Sequence, residues 1–532
     1  MSFKKTPVSF QETGLFSKVF TDYLKGESYL SSFYQYQPSL AGFKKAIEDR
    51  SKDNSSREVL VNVLKKKYGN KGSDLTNKNI ALLNEKNTFT VTTGHQLCLF
   101  TGPLYFIYKI ITVINLAERL KKEYPANNFV PVYWMASEDH DFAEINHTYV
   151  FGKKIEWSGD SLSGGPVGKI SVETLAPVLE GLMTMLGENA NAAEIKKLLH
   201  DAYSGNKNLA EATFDFVNAL LGKYGVVIVD ADDAELKKLF IPVIKDELTK
   251  QSSHRLVSDT DKQLAQHGIE PQIFARDINL FYINGEGRHR IEKQGDNYTT
   301  VNAKTVFTKE QILAEAEQHP ERFSPNVILR PIYQQIILPN VAYIGGPSEV
   351  AYWLQLKTAF DYHKAMYPVV IPRNFAMIID KGAAGKMEKF KLSAKDIFND
   401  VDDLVKGYVI NNDGAIDFEA EKERLKVVYD GISAKIKTID STLVASADAE
   451  LQKQYNALKV IETKLIRAQK QKDETSVNQI KKIKEKLFPE GSLQERHDNF
   501  IPFYLQYGNE FFDMLKKELD PFEYNMAVIT EE

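Results

Sequence analysis

Residues 89–120, FTVTTGHQLCLFTGPLYFIYKIITVINLAERL, predict the unit on which the fold of this protein is built. An apolar run ends in a polar loop at residues 94–103, and a long apolar helix pattern follows, whose first three turns hold a single cation, Lys109. Runs this apolar are typical of strands that are buried on both faces of a sheet. The stretch therefore predicts a buried strand, a loop at its carboxyl end and a helix that returns across the sheet.

The same alternation recurs along the chain. Strand-like runs lie within residues 129–137 (FVPVYWMAS), 225–233 (GVVIVDADD) and 367–380 (YPVVIPRNFAMIID), and helix-like segments separate them. This order predicts an α/β fold with a doubly wound parallel sheet, in which ligands bind beyond the carboxyl ends of the strands. Residues 279–300, NLFYINGEGRHRIEKQGDNYTT, instead predict an inserted hairpin with Gly285 and Gly287 in its turn.

A chain of 532 residues is too long for one compact core, so we divide it into three regions. Residues 1–87 are predicted to be an N-terminal helical layer of the core. Residues 88–380 form the core, with inserted segments at about 151–310, and residues 381–532 form a helical region. Within the helical region, residues 416–487 or so predict an antiparallel coiled coil, with Asp448 as a candidate N-cap. We expect its apolar seam to form a homodimer.

Composition narrows the class of protein. The hydrophobic content of 43%, the charged content of 26% and the net charge of −5 are those of an ordinary globular protein without a basic field, so no nucleic-acid partner is expected. The single cysteine, Cys98, excludes an intramolecular disulfide and a multi-cysteine zinc site. The N-terminus lacks an apolar signal region and no apolar run approaches about 20 residues, so we expect a cytoplasmic protein with no membrane partner.

The opening loop is the first candidate site. A strand followed by a glycine-containing loop and a helix N-terminus favours phosphate, because backbone N–H groups and the helix dipole attract anions. The candidate residues are Gly94, His95, Gln96, Thr101, Gly102, Pro103 and Lys109. The alternative is a tight turn without a ligand, with Lys109 as a surface lysine. Cys98 lies in an apolar run without an adjacent base, which favours a buried hydrophobe over a nucleophile.

The second candidate site is the polar cluster WMASEDHDFAEINH, residues 134–147. A helix starting near Asp139 would place His140, Glu144 and His147 on one face, as metal ligands or an acid–base set require. Asp139, Asp141 and Glu144 are also suited to holding an ammonium group or Mg²⁺. The alternative is a set of solvated acids that cap a helix, and no permanent metal is expected.

A third group of candidates lies in residues 323–374. Arg330, expected near the end of an apolar strand, would need a carboxylate or phosphate partner. The sequence GGPSE predicts a helix start, and neighbouring aromatic side chains suit either a sugar or base pocket or the core. The further candidates are Gly345, Gly346, Glu349, Tyr352, Trp353, Arg373 and Asn374.

Several long blocks together resemble one family. TGHQ…FTGPLYFIYK, WMASEDHDFAEINH, FSPNVILRP, YIGGPSEVAYWLQLK, VVIPRN and LFPEGSLQERHDNF are similar to the BshC family of bacillithiol biosynthesis, over nearly the whole chain. The resemblance implies a Rossmann-like core related to class I aminoacyl-tRNA synthetases and nucleotidyltransferases, with inserted connecting segments and a dimerising α-helical coiled-coil hairpin. The HIGH and KMSKS motifs of those synthetases are absent from the sequence.

The resemblance also implies a reaction. A ligase of this family is expected to join L-cysteine to glucosaminyl malate through an amide bond, with an adenine nucleotide, ATP or ADP, as the second ligand and Mg²⁺ as an option. The loop with Lys109 would cradle phosphates, Arg330 and Arg373 would bind malyl carboxylates, and the acids of the second cluster would hold an ammonium group or Mg²⁺, or deprotonate the sugar amine. The alternatives are a nucleotidyltransferase-like enzyme acting on another small acid or amine, and a noncatalytic nucleotide-binding dimeric scaffold.

Overall fold

A computed structural model describes residues 2–52, 56–159, 164–413 and 418–532. The strands in these residues are β1 (Phe3–Ser9), β2 (Thr88–His95), β3 (Asn128–Met135), β4 (His147–Val150), β5 (Lys153–Glu156), β6 (Val227–Asp230), β7 (Leu280–Asn284), β8 (Gly287–Gln294), β9 (Asn297–Thr300), β10 (Val306–Phe307), β11 (Phe323–Pro325), β12 (Asn340–Gly345), β13 (Val369–Pro372), β14 (Phe375–Ile379) and β15 (Asn525–Glu531).

The α-helices up to residue 362 are α1 (Phe10–Thr13), α2 (Lys18–Lys25), α3 (Leu40–Arg50), α4 (Arg57–Tyr68), α5 (Asp74–Leu82), α6 (Tyr105–Glu123), α7 (Phe142–Ile145), α8 (Ala176–Met185), α9 (Ala190–Tyr203), α10 (Leu209–Leu221), α11 (Ala234–Lys238), α12 (Ile241–Lys250), α13 (Ser252–Ala265), α14 (Lys309–Gln318), α15 (Arg330–Ile337), α16 (Pro347–Trp353) and α17 (Lys357–Tyr362). The later ones are α18 (Lys381–Lys389), α19 (Val401–Asp413), α20 (Glu419–Lys437), α21 (Val444–Lys472), α22 (Glu474–Leu487), α23 (Gln494–His497), α24 (Ile501–Tyr507) and α25 (Glu510–Glu518).

The central sheet of the described residues is parallel and has the strand order β13-β12-β2-β3-β6. If these five strands are renumbered 1 to 5 in the order in which they occur along the chain, their order across the sheet is 5-4-1-2-3. This is a doubly wound arrangement. The winding direction reverses between β2 and β12, so the connections that leave their carboxyl ends diverge and open a crevice there. The predicted α/β class and parallel sheet are confirmed.

Strand β2 lies at the centre of the parallel sheet, and both of its faces are covered. Phe89 and Val91 belong to a buried cluster with Leu116 of α6, and full burial of such side chains contributes about 1.5–3 kcal/mol each. Side chains alternate along a strand, so Thr92 faces the other way. Its hydroxyl donates to the Asn340 Oδ1 atom at 2.8 Å, which satisfies a polar group that the sheet buries.

The inserted hairpin is also confirmed. Strands β7 and β8 pair antiparallel and belong to a sheet with the order β10-β9-β8-β7-β11. Asn284 pairs with Gly287, so Gly285 and Glu286 form the connection. Gly287 has φ +149°, and a Cβ atom there would lie 2.5 Å from the Gly164 carbonyl oxygen. Only glycine fits this close approach of two backbones.

The chain forms two compact units. One comprises residues 9–377 with residues 493–527, and the other comprises residues 1–8, 378–492 and 528–532. The N-terminal layer is helical in α1–α5 but begins with strand β1, which pairs in a sheet of order β1-β15-β14. Residues 493–527, which the sequence analysis placed in the helical region, belong to the unit of the parallel sheet.

The predicted helical hairpin is confirmed, since α20 and α21 pack together on either side of a short connection. The N-cap expected at Asp448 is wrong, because Asp448 lies inside α21. The Asp440 side chain instead accepts a hydrogen bond from the Thr442 N–H at 2.9 Å and so starts the turn earlier.

Among the described residues, no helix combines the length and the apolar character that a membrane-spanning segment needs.

The helix expected to start near Asp139 and reach His147 is wrong. Helix α7 covers only Phe142–Ile145, and His147 begins strand β4, which pairs with β5. The Asp141 side chain caps α7 by accepting a hydrogen bond from the Glu144 N–H at 3.3 Å. Pairing of β4 ends the helix after four residues, so His140, Glu144 and His147 do not share a helix face.

The strand expected to end near Arg330 is likewise wrong. Strand β11 ends at Pro325, and Arg330 is the first residue of helix α15. Pro331 follows it. Proline fits the first turn of a helix because N–H groups in that turn have no acceptor within the helix, so the lack of one costs no hydrogen bond. Arg330 therefore projects from a helix start.

Candidate active site

A cavity of about 600 Å³ lies at the carboxyl ends of the parallel strands. Residues that end β2 and β3, including His95 and Met135, form its floor, and Glu349 of α16 closes the side towards β12. The inserted antiparallel sheet supplies the facing wall, with Phe281 of β7 and Arg288 of β8. The cavity thus lies at the crevice that the strand order opens, where open α/β sheets bind ligands.

Lys109 of α6 is buried at this crevice and is not the surface lysine of the alternative interpretation. Its side chain is 5% exposed, forms an ion pair with Glu349 at 2.6 Å and donates to the Gly94 carbonyl oxygen at 3.0 Å. Glu349 also accepts hydrogen bonds from the Tyr343 hydroxyl at 2.6 Å and the Gly346 N–H at 2.7 Å. The pair joins the helix that follows β2 to the helix that follows β12.

Burial and charge act on this pair in a definite way. Burial lowers the pKa of the Lys109 ammonium, although the Glu349 carboxylate raises it. Burial would raise the pKa of the Glu349 carboxyl, but the Lys109 charge and the Gly346 and Tyr343 hydrogen bonds bring it below its usual value. Glu349 is therefore ionised at neutral pH, and its charge is committed to Lys109.

Arg330 is a cation of this cavity that has a buried, unused donor. Its Nη1 atom donates to the Gln334 Oε1 atom at 3.0 Å, and the guanidinium lies 5.5 Å from the centre of the Tyr343 ring. Its Nη2 atom is buried and has no hydrogen-bond partner among the described residues. A buried donor without a partner costs about 1–3 kcal/mol, and more when it is charged, so this position favours an anionic ligand. Tyr352 lines the cavity, and its hydroxyl interacts with the Arg330 guanidinium.

The inserted hairpin contributes further arginines that sequence reasoning missed. The Arg288 side chain is 7% exposed, donates to the Ser324 hydroxyl and the Pro325 carbonyl oxygen, both at 3.1 Å, and stacks 3.9 Å from the Phe281 ring centre. Arg290 lines the same cavity. The alternating pattern RHR in a predicted strand places these two arginines on one face, which is the signal that could have identified them.

Asp139 connects the second sequence cluster to this cavity. The Gln96 Nε2 atom donates to the carboxylates of both Asp139 and Glu144, at 2.7 Å each. Burial would raise the pKa of the Asp139 carboxyl, but hydrogen bonds from the His140 backbone N–H and from Gln96, together with the Arg288 charge, lower it well below its usual value. Asp139 is therefore a permanent anion at the edge of an arginine-rich cavity.

The members of the proposed metal set are separated. The His140 Nδ1 atom lies 2.8 Å from Arg288 Nη1, and because the guanidinium can only donate, the ring nitrogen accepts. Glu144 bonds Gln96, and His147 bonds Asn146 at 3.0 Å. Within the described ranges, no three histidine, cysteine or acidic side chains lie close enough together to hold a metal ion. Asp141 is exposed and only caps α7.

His95 and Cys98 share the buried corner behind the loop. His95 lines the cavity with its ring packed against Tyr105 and Phe106, and burial lowers the pKa of its imidazole to about 3. The Cys98 Sγ atom lies 3.9 Å from His95 Nε2, and burial raises the pKa of the thiol to about 12. Both side chains are therefore neutral at pH 7, and the predicted burial of Cys98 is confirmed.

The remainder of the opening loop faces away from the main cavity. Thr101 and Gly102 are buried, and the Gly102 carbonyl oxygen accepts a hydrogen bond from the Asn499 side chain at 2.8 Å. The Leu104 N–H donates to the Asp498 carbonyl oxygen at 2.8 Å. This N–H at the start of α6 is therefore unavailable to a phosphate, and residues 498–499 cover the loop.

Arg373 has a structural partner. It is 2% exposed and makes a two-pronged ion pair with the fully buried Glu495, at 2.5 and 3.0 Å. Its neighbour Asn374 is buried and donates to the Asp520 carbonyl oxygen at 2.7 Å. Neither side chain lines the main cavity, so the arginine pair expected to bind malyl carboxylates is divided between the cavity and the core.

The other candidates near β12 are likewise divided between the main cavity and the core. Trp353 is fully buried and stacks on Tyr343 with ring centres 4.6 Å apart. The Gly345 carbonyl oxygen accepts the Arg373 N–H at 2.8 Å, and the Gly346 N–H is used by Glu349. These residues shape the helix start that presents Glu349 to the cavity.

Lys237 is a second buried lysine that sequence reasoning missed. Its side chain is fully buried, forms an ion pair with Glu138 and donates to the Phe323 carbonyl oxygen at 2.7 Å. Burial raises the pKa of the Glu138 carboxyl, which lines the main cavity. No local pattern marks Lys237, because its partner lies about 100 positions earlier in the chain.

Comparison with known proteins identifies the family. A model of the N-terminal Rossmann-like domain of bacillithiol biosynthesis BshC matches residues 3–374, and a model of its C-terminal coiled-coil domain matches residues 376–531. The protein named "Putative cysteine ligase BshC" from Flavobacterium johnsoniae is 45% identical to this chain, over 98% of this chain and 99% of that protein. The protein of the same name from Cytophaga hutchinsonii is 40% identical to this chain, over 99% of both. One in Bacillus cereus strain ATCC 14579 is 28% identical over 95% of this chain and 96% of that protein.

These matches cover both compact units and nearly the full length of the relatives. They also agree with the parallel sheet and the helical hairpin described above. The chain therefore belongs to the BshC family of bacillithiol biosynthesis.

Proposed function

We propose that this protein is a ligase that joins L-cysteine to glucosaminyl malate through an amide bond, using ATP to activate the carboxyl group. The names of the relatives support a cysteine ligase. The observation that carries the proposal is the buried, unpartnered Nη2 atom of Arg330 in a cavity that Lys109 and Arg288 also line. A phosphate or a malyl carboxylate would satisfy that donor.

The cavity fits ligands of this class. Its volume of about 600 Å³ lies in the range of about 300–1,000 Å³ that small-molecule sites occupy. Amide formation from a free carboxylate is uphill in water, and ATP supplies the driving force. Arg288, Arg290 and Arg330 would hold the phosphates and the malyl carboxylates, and Mg²⁺ would enter with the nucleotide.

The acids of the site differ in what they can do. Asp139 has a depressed pKa, which suits it to hold an ammonium group and makes it a poor acceptor of a proton from the sugar amine. His95, with a pKa of about 3, is a poor base at neutral pH for the same reason. Glu138 has a raised pKa and lines the cavity, so it is the better candidate for the base.

The coiled coil extends the proposal to the assembly. Six apolar side chains of α20 and α21 are between 40% and 64% exposed: Val427, Val428, Ile432, Val460, Ile461 and Leu465. Exposed apolar seams of this kind mark interaction surfaces. We propose that the hairpin forms a homodimer, and that the enzyme works in the cytoplasm, where ATP and free cysteine occur together.

The experiment supplies ATP, Mg²⁺, L-cysteine and glucosaminyl malate and detects the amide product by mass spectrometry. We expect Lys109→Ala and Arg288→Gln each to lower turnover at least about tenfold, which corresponds to about 1.4 kcal/mol. The first leaves the Glu349 carboxylate unpaired at the cavity, where it repels anions, and the second removes a cation of the cavity wall. Matched controls are Lys122→Ala on the exposed side of α6 and Arg255→Gln on α13, which do not line the cavity.

The nucleotide products separate the routes of activation. AMP with pyrophosphate means adenylation, and ADP with phosphate means an acyl phosphate. Nucleotide turnover that needs a different acid or amine would favour the nucleotidyltransferase alternative, and nucleotide binding without any turnover would favour the scaffold. Unimpaired turnover in Asp141→Asn would remove Asp141 from the candidate catalytic residues, which agrees with its exposed capping position.

A further inference from the structure

A second cavity of about 320 Å³ adjoins the main one. Gln96 and Tyr105 line both cavities, so only these side chains and their neighbours separate the two. The second cavity is closed on its far side by Arg496 and His497. These two residues come from the segment after the coiled coil, about 400 positions beyond Gln96, which folds back onto the unit of the parallel sheet.

His497 carries a buried acceptor without a partner. Its Nδ1 atom lies 2.8 Å from the Asp498 carboxylate, and because a carboxylate can only accept, Nδ1 carries the proton and Nε2 is left as an acceptor in the neutral ring. His497 is 8% exposed, and its Nε2 atom has no hydrogen-bond partner within the described part of the chain. The ring is held by stacking on Tyr149 at 3.9 Å. The cavity is therefore built to receive a hydrogen-bond donor.

The other walls define the rest of the ligand. Glu144 offers a carboxylate whose Oε2 atom is fixed by Gln96 at 2.7 Å. Arg496 carries the opposite charge, so the charged side chains that line the cavity sum to zero. Cys98 and Pro103 supply a small apolar surface with a soft sulfur atom.

We propose that this second cavity is the binding site of the amino-acid substrate, a small thiol amino acid of the cysteine type. Its ammonium group pairs with Glu144, and its S–H group donates to His497 Nε2. These are the two groups that do not react in amide formation. The carboxylate, which does react, is left to reach the main cavity between Gln96 and Tyr105. The inference rests on the proposed ligase function, since it assigns one of that reaction's substrates.

The inference separates binding of the amino acid from binding of the anionic substrates. Arg288 and Arg330 line the main cavity only, and Glu144 and His497 line the second cavity only. Variants of the two groups are therefore expected to act on different ligands. This separation allows a test that does not depend on turnover.

The test is isothermal titration calorimetry of the full chain with L-cysteine under reducing conditions, with and without a nonhydrolysable ATP analogue. We expect Glu144→Gln and His497→Asn each to weaken L-cysteine binding at least about tenfold. His497→Asn keeps a polar atom near Nδ1 for Asp498 and removes the acceptor at Nε2. Matched controls are Glu188→Gln, which is exposed, and His254→Asn, whose ring bonds Asp277 at 3.3 Å outside both cavities.

Ligand analogues assign each contact. Cysteamine lacks only the carboxylate, so it is expected to bind within about threefold of L-cysteine and to lose affinity in both variants. 3-Mercaptopropionate lacks the ammonium group, so Glu144→Gln is expected not to weaken its binding. L-Alanine lacks the S–H donor, so His497→Asn is expected not to weaken its binding. Circular dichroism confirms that each variant is folded.

The outcomes distinguish this inference from the proposed function. Absence of L-cysteine binding under both conditions, or binding that neither variant weakens, overturns the inference even if the enzyme forms the amide. Weaker binding in both variants with the predicted analogue pattern supports it. If that pattern is found and no amide is formed with any nucleotide, the proposed ligase function fails while the amino-acid site stands.

Discussion

His95 shows how one buried side chain makes stability depend on pH. Its pKa is lowered to about 3 by burial, from an unfolded value near 6.5. Above pH 6.5 both states are neutral and the histidine has no effect. As the pH falls below 6.5, His95 binds a proton in the unfolded chain but stays neutral in the folded chain. The folded state therefore loses about 1.4 kcal/mol of stability per pH unit down to pH 3.

The prediction for His95 is therefore a loss of about 2 kcal/mol between pH 6.5 and pH 5.0 that the His95→Gln variant does not show. Urea unfolding at the two pH values measures it. His200→Gln, at a position with 65% side-chain exposure, is the matched control. The same loss in wild type and His95→Gln would contradict the assigned protonation state.

Cys98 is predicted to be structural and chemically inert in the folded protein. Burial raises the pKa of its thiol to about 12, so the reactive thiolate is nearly absent at pH 7.5. We expect iodoacetamide to leave the folded protein unlabelled and to add one label per chain in urea, since the chain has one cysteine. Cys98→Ser is expected to retain ligase activity, because serine keeps a small neutral side chain at the wall of the second cavity. Rapid labelling of the folded protein, or loss of activity in a folded Cys98→Ser variant, would assign the thiol a reactive role.

At the scale of elements, the segment after the coiled coil is the one that completes the second cavity. Glu495 anchors it through Arg373, Asn499 closes the loop before α6, and His497 lines the second cavity. Residues 493–500, LQERHDNF, resemble the family sequence but show no local pattern that indicates these contacts. Their contacts with residues 100–104 and 373 join positions that are between 122 and 399 residues apart, so no local pattern could predict them.

The Arg373–Glu495 pair is predicted to be a large contributor to the stability of that segment. Both side chains are buried, at 2% and 0% exposure, so Arg373→Met leaves a buried carboxylate without its partner and is expected to cost about 3–5 kcal/mol. The double variant Arg373→Met/Glu495→Gln is expected to lose less, because no buried charge remains. Urea unfolding measures both, with Lys197→Met of an exposed ion pair as the control. Equal losses in single and double variants would contradict the argument.

At the scale of the whole molecule, we predict a dimer in solution that depends on the helical hairpin. The exposed seam of α20 and α21 includes Val428 and Val460, at 57% and 54% exposure. Val428→Glu with Val460→Glu places charges on that seam and is expected to halve the mass measured by light scattering. Lys426→Glu on the same helix is the control for added charge. An unchanged dimer in the double variant would place the interface elsewhere.

The same variant also tests where the cavities lie. Both cavities are lined only by residues of the unit that holds the parallel sheet. A monomeric variant is therefore expected to bind L-cysteine with unchanged affinity, as calorimetry can measure.

The sequence by itself determined the classes of element and their order. Local sequence patterns predict the apolar strands β2, β3, β6 and β13, the glycine turn before β8 and the C-terminal helices. These predictions are confirmed. The sequence also identified Gly94, Asp139 and Glu349 as candidates near strand ends, and Arg330 as a candidate, although Arg330 begins a helix and does not end a strand. A residue's neighbours within one turn or one strand set such patterns, so the sequence carries them directly.

Only the tertiary structure decided which of those candidates share a cavity. It buried Lys109 against Glu349, assigned Arg373 to Glu495, shortened the helix after Asp139, and brought Arg288 and His497 to the cavities from distant segments. Each outcome depends on pairing between groups far apart in the chain, where a buried charge or donor must find a partner to offset its loss of water. Periodicity shows that a side chain is buried, but the partner that satisfies it is known only once the fold has brought the segments together.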